Sequence, residues 1–116
     1  MTFLEALVTL LPTDAGGREL PVAPREGSYR PHARLAADER LLRIRFIEGP
    51  PLIAPGQEAR VVVELEGESD VQLAGGSELD VLEHERVVGL MTVTRVWLSA
   101  PQPPATSGGG RPRPPW

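Results

Sequence analysis

Alternation with a period of two dominates this chain, and the 3.6-residue period of an amphipathic helix is missing from it. Successive side chains of a strand point to opposite faces, so the pattern describes strands with one face in a core and the other in water. Leu4, Ala6, Val8 and Leu10 share one face of a first strand. Tyr29, Pro31, Ala33 and Leu35 alternate with Arg30, His32 and Arg34, and Leu42, Ile44 and Phe46 alternate with Arg43 and Arg45. Ala59, Val61, Val63 and Leu65 form the next inward set, followed by Leu79 and Val81. The last run, Arg86 to Leu98, is rich in Val, Thr and Trp, which fit a pleated surface.

Turn chemistry separates these runs. Thr13 to Gly17 ends the first strand with residues that tolerate tight turns, Gly75-Gly76 turns the chain before Ser77, and Glu83-His84-Glu85 makes a short hairpin connection. The segment Glu48 to Gln57 holds Pro50, Pro51 and Pro55 and must be a connection, because proline donates nothing to a sheet ladder; it is expected to cross an end of the fold. About six strands of this kind suit an all-β fold, a small closed antiparallel six-stranded β-barrel in which edges disappear. The 116 residues allow one such domain, residues 1–98. From Ser99 the pattern stops, and the Pro/Gly-rich stretch 99–116 is expected to be a disordered tail. Its Pro101-x-x-Pro104 and Arg111-Pro112-Arg113-Pro114-Pro115 segments have the composition of a polyproline II ligand or of an inert terminus.

Composition narrows the chemistry. A net charge of -4 offers no bulk attraction to phosphate or to an anionic membrane. There is no cysteine, which removes disulfides, thiolate nucleophiles and Cys-based metal sites and accords with a reducing cytoplasm. All twelve basic residues are arginine. Without lysine the chain has neither the cation of a phosphate-binding P-loop nor a Schiff-base amine, so it is not expected to be a GTPase by itself. Met1 to Leu11 lacks a basic leader, contains Glu5 and is too short to span a bilayer, so a cytoplasmic protein without membrane contact is expected.

Four short motifs fall in a distinctive order: Gly16-Gly17-Arg18-x-x-Pro21, then Tyr29-Arg30-Pro31, then Pro55-Gly56 before a Val-rich strand, and finally Arg86-x-Val88-Gly89 after an acidic turn. In that order and at nearly that spacing, over roughly Leu4 to Val96, the chain resembles the third, C-terminal β-barrel domain of translation elongation factor Tu, here as a stand-alone domain. The resemblance implies macromolecular partners: a GTPase domain, a nucleotide exchange factor and the T-stem of tRNA. It also implies that the protein is not an enzyme and needs no cofactor. His32 stands where the family has Gln, Leu35 to Arg40 replaces a hydroxyl-rich loop, and Glu19 replaces a His. Glu83 alone stands at a position matching the family's tRNA-facing groups.

The leading expectation is therefore a non-catalytic binding module that contacts a translational GTPase, its regulator or another protein. Its candidate partner-binding residues are Arg18, Arg30, His32, Arg34, Glu83 and Arg86, with Tyr29 in a structural role. The alternative is a tRNA-binding accessory or decoy acting through an Arg-rich face of Arg30, His32 and Arg34, joined by Arg43 and Arg45 if their strands pair; against it stands a solvated strand face neutralised by acids such as Glu64. His32 and His84 lack any metal-ligand spacing and read as surface histidines. Ser28, Ser69 and Ser77 sit in no nucleophile motif and read as turn serines. Trp97 is expected to pack over a barrel end and Trp116 to be free.

Overall fold

The computed structural model describes residues 2–36, 38–66 and 73–98. The expected tail with Trp116, and the segment Gly67 to Gln72 with Ser69, lie outside them. Six strands are present: β1 (Thr2–Leu10), β2 (His32–Leu35), β3 (Asp38–Glu48), β4 (Glu58–Glu66), β5 (Glu78–Glu83) and β6 (Arg86–Leu98). They close into an antiparallel barrel in the order β1-β4-β3-β2-β5-β6, with β6 returning to β1. The all-β closed barrel expected from the alternation is the fold of this chain. Among the described residues no helix is long and apolar enough to cross a membrane.

The inward alternation fills the barrel. Leu4, Ala6, Val8 and Leu10 of β1, Ile44 and Phe46 of β3 and Val63 of β4 are fully buried, and Leu79, Val81, Met91 and Val93 complete the opposite wall. Burying a large apolar side chain contributes about 1.5–3 kcal/mol, which makes the filled interior the main favourable contribution to folding. Tyr29, Leu35, Ala59, Leu73 and Val96 pack at its margins. Trp97 is not a lid over a barrel end: it stacks on Phe3 of the neighbouring strand, ring centroids 5.7 Å apart, with the Arg95 guanidinium 4.7 Å from its ring centre. Cross-strand aromatic pairs of this kind are the natural use of opposed positions on a sheet face.

Both ends of the barrel are defined by the β1–β6 pairing. Thr2 lies opposite Leu98, whereas Leu10 lies opposite Gly89, close to the β5–β6 hairpin turn at His84-Glu85. The segments 11–31 and 49–57 close this second end. Val22 and Ile53, 2% and 1% exposed, exchange both backbone hydrogen bonds at 2.9 and 2.7 Å. Gly56 N–H donates to the Leu10 carbonyl, and Leu10 N–H to the Gln57 carbonyl. The proline-rich connection thus crosses a barrel end, where Val22 of the first loop and Leu10 at the end of β1 take up backbone groups of Ile53, Gly56 and Gln57.

Candidate functional site

The closed end at 11–31 and 49–57 carries one cluster of side chains drawn from three distant parts of the chain. Its assembly begins with Gly17. The 3-10 turn Thr13–Ala15 brings the chain back on itself, with Gly17 N–H donating to the Pro12 carbonyl at 3.0 Å. A Cβ at Gly17 would stand 2.0 Å from the Leu11 carbonyl oxygen, so only glycine fits this approach. The next residue is held from both sides: Thr13 Oγ1 donates to the Arg18 carbonyl at 2.7 Å, and Arg18 Nε donates to the Leu20 carbonyl at 2.9 Å. The guanidinium that results from this bracing is fixed in direction before it meets any partner.

Arg18 then donates a hydrogen bond to Glu83 Oε2, the last residue of β5. The same oxygen accepts the Tyr29 hydroxyl proton at 2.6 Å. The Arg18 guanidinium also lies over the Tyr29 ring, 5.0 Å from its centre, while the ring meets Phe46 edge-on with centroids 5.1 Å apart. Phe46 belongs to the core, so the polar cluster rests directly on the apolar interior. Burial, and then the hydrogen bond to the Glu83 carboxylate, push the Tyr29 hydroxyl well above its ordinary value. For Arg18, burial opposes the charge, but Tyr29 and Glu83 outweigh it and the guanidinium is held above its ordinary value. Guanidinium, carboxylate and neutral phenol therefore lock one another over the whole neutral range.

Two surface depressions flank this bridge and share Arg18 and Glu83 as their common wall. One, of about 370 Å³, runs along Thr13, Gly16 to Leu20 and Arg86. The other, of about 380 Å³, is bounded by Tyr29 to His32 and by Leu82 to His84. Five of the six candidate residues, Arg18, Arg30, His32, Glu83 and Arg86, line one or both. Arg34 does not; it pairs with Asp80 of β5 at 2.9 Å, away from the bridge. Arg86 is exposed and has no ion-pair partner among the described residues. Leu20, 69% exposed, and His84 at the hairpin tip were not among the candidates, although they border the two depressions. His84 is exposed and takes a φ of 57°, a left-handed conformation uncommon for a non-glycine residue.

The arginine face tells a different story. Register places His32 opposite Arg43, so the β2 and β3 basic residues do share a face. Two of the four arginines expected there are held by carboxylates at hydrogen-bond distance, Arg34 by Asp80 at 2.9 Å and Arg45 by Glu64 at 2.6 Å, whereas Arg30 has only a long contact to Glu66 at 3.7 Å. Glu64 is only 5% exposed, while the Arg45 side chain that meets it is half-buried. Arg43 alone of these has no ion-pair partner among the described residues. Among the described residues no group of His, Asp or Glu is placed to hold a metal ion.

Neither a protein-family model nor a curated protein matches this chain. Its own motifs nevertheless converge: Arg18 from Gly16-Gly17-Arg18, Tyr29 from Tyr29-Arg30-Pro31, and Glu83 from the acidic turn before Arg86 meet in one cluster, although 54 and 65 positions separate Glu83 from the other two.

Proposed function

We propose that this barrel is a non-catalytic binding module whose contact surface is the end built around the Arg18–Glu83–Tyr29 bridge. The observation that carries this reading is the pair of depressions sharing that bridge, with Arg86, unpaired among the described residues, and the exposed Leu20 beside it. Interface hot spots combine a rigid, pre-arranged centre of Arg and Tyr with apolar groups that lose water on contact. The ionisable groups at the centre support binding rather than chemistry. Tyr29 holds its proton more tightly than an ordinary tyrosine, and with Arg18 it fastens Glu83 Oε2 in place, an arrangement that supports a held contact surface.

The partner class follows from the resemblance to the elongation factor Tu barrel: a translational GTPase, its exchange factor or another protein in the cytoplasm. Three of the motifs on which the resemblance rests supply the bridge, which supports carrying over a protein-facing surface at this end. The close pairing of Arg34 and Arg45 with carboxylates takes two cations from the arginine face, which supports ranking a protein partner ahead of tRNA. Affinity capture of the tagged full chain from lysate of its source, with and without ribonuclease, tests the reading. A partner that survives ribonuclease, is lost with Arg30→Ala/Arg86→Ala and is retained with Thr92→Glu on the barrel side is the expected result. Capture that depends on RNA, or that ignores the Arg30 and Arg86 changes, overturns it.

A further inference from the structure

The two depressions differ in their floors. In the one between Tyr29 and His84, the floor is apolar: Pro31 is buried, Tyr29 is half-buried, and Leu82 is 3% exposed. Leu82 is unusual because it stands outside the cluster that fills the barrel. A register shift between Val81 and Leu82 ends the inward series Leu79, Val81, and Leu82 lies opposite His32 of β2. The rim is of the opposite character, with Arg30, His32 and His84 around it. Its one acid, Glu83, is already consumed by Arg18 and Tyr29. Arg30 keeps only a long contact to Glu66 at 3.7 Å, and its side chain remains 59% exposed. It is therefore free to turn toward an incoming carboxylate.

From this contrast, and resting on the protein-binding reading above, we infer that this depression receives an acidic segment of a partner protein, which sets one apolar side chain on Leu82 and Pro31 while flanking carboxylates meet Arg30 and the two imidazoles. A volume of about 380 Å³ lies at the small end of the range for ligand pockets, about 300–1,000 Å³. That is room for one large side chain and adjoining backbone, not for a folded element. Charge complementarity selects the partner's sign: the chain as a whole carries -4, so the exposed Arg30 guanidinium, with imidazole N–H donors beside it, favours an acidic segment against the trend of the remaining surface. Nucleobase stacking is disfavoured here, because the Tyr29 ring is already covered by Arg18 and abutted by Phe46.

The test is titration of the isotopically labelled full chain with an acetylated, amidated Glu-Asp-Leu-Glu-Asp peptide, followed by backbone amide shifts. The same peptide with Ser for Leu, and a single-stranded oligoadenylate, serve as comparisons. Saturable shifts confined to 29–32 and 82–84 are expected, weakened at least tenfold by Arg30→Glu and at least tenfold by Ser for Leu. Shifts centred on Gly16 to Leu20 overturn this inference and leave the contact surface itself standing. Indifference to Arg30→Glu, the absence of saturable shifts, or tighter binding of the oligoadenylate overturns it as well. Binding as described, together with a captured partner that ribonuclease removes, supports the inference and defeats the protein-partner reading instead.

Discussion

Removing one hydroxyl at the bridge separates its polar contribution from its packing. Tyr29→Phe keeps the ring against Phe46 and under Arg18 but deletes the proton donated to Glu83 at 2.6 Å. A hydrogen bond to a charged group contributes about 1.5–3 kcal/mol. Glu83 retains Arg18 as a donor, and its side chain is 25% exposed, so the loss should fall at the lower end, about 1.5 kcal/mol. Tyr29→Ala additionally forfeits the aromatic edge contact and most of the ring's burial, for a total of about 3–4 kcal/mol. At about 4–8 °C of Tm for each kcal/mol in a domain of this size, Tyr29→Phe should lower Tm by about 6–12 °C and Tyr29→Ala by at least twice as much.

The pH dependence carries the same information with a definite sign. Because the folded state raises the Tyr29 value above that of the unfolded chain, the stabilisation is fully present below the ordinary tyrosine value near 10 and is lost as pH rises through the folded one. The wild type should therefore weaken above pH ~10 more steeply than Tyr29→Phe, and the gap between them should close. The chain has one tyrosine, so tyrosinate absorbance reports this group alone. A folded-state titration at the ordinary tyrosine position, or equal melting losses for Phe and Ala, refutes the bridge as described.

Three further outcomes follow from other sites. Gly17→Ala places a Cβ 2.0 Å from the Leu11 carbonyl oxygen and should cost about 3 kcal/mol or more, read as a fall in thermal midpoint of more than about 10 °C. Arg45→Met strands the buried Glu64 carboxylate and should cost about 3 kcal/mol in urea unfolding. Adding Glu64→Leu should recover most of that loss, and a double variant as weak as the single one contradicts the account. His84→Gly relieves a φ of 57° at the hairpin tip and should raise stability in denaturant unfolding by up to about 1 kcal/mol; a loss instead shows that the ring of His84 is held by contacts that outweigh its backbone conformation.

The barrel was legible because Leu42 to Phe46 alternates without exception and Leu4 to Leu10 and Ala59 to Leu65 break the pattern only at Leu7 and Val62, and a half-buried strand leaves no other trace so plain. Val22 and Ile53 escaped notice for the converse reason: each is a lone apolar residue in a proline-rich connection, with no period to reveal that both are buried. Site residues Arg18, Tyr29 and Glu83 could be picked from motif order, but no spacing in the sequence states that they touch. Their contact depends on a barrel that brings the end of β5 to the loop after β1. The acidic neighbours of the arginine face were hidden likewise, since Asp80 and Glu66 become neighbours of Arg34 and Arg30 only once the strand order and register are known.

The pairing of Thr2 with Leu98 has a practical reading as geometry for attachment. Opposed residues of antiparallel strands lie about 5 Å apart, so attachments made at either position leave from the same spot on the barrel. A tether to a bead, a surface or a second domain at either position leaves from the end remote from the His84-Glu85 hairpin. Whichever position is used, the Arg18–Glu83 end faces outward, and immobilised copies present the same side to solution.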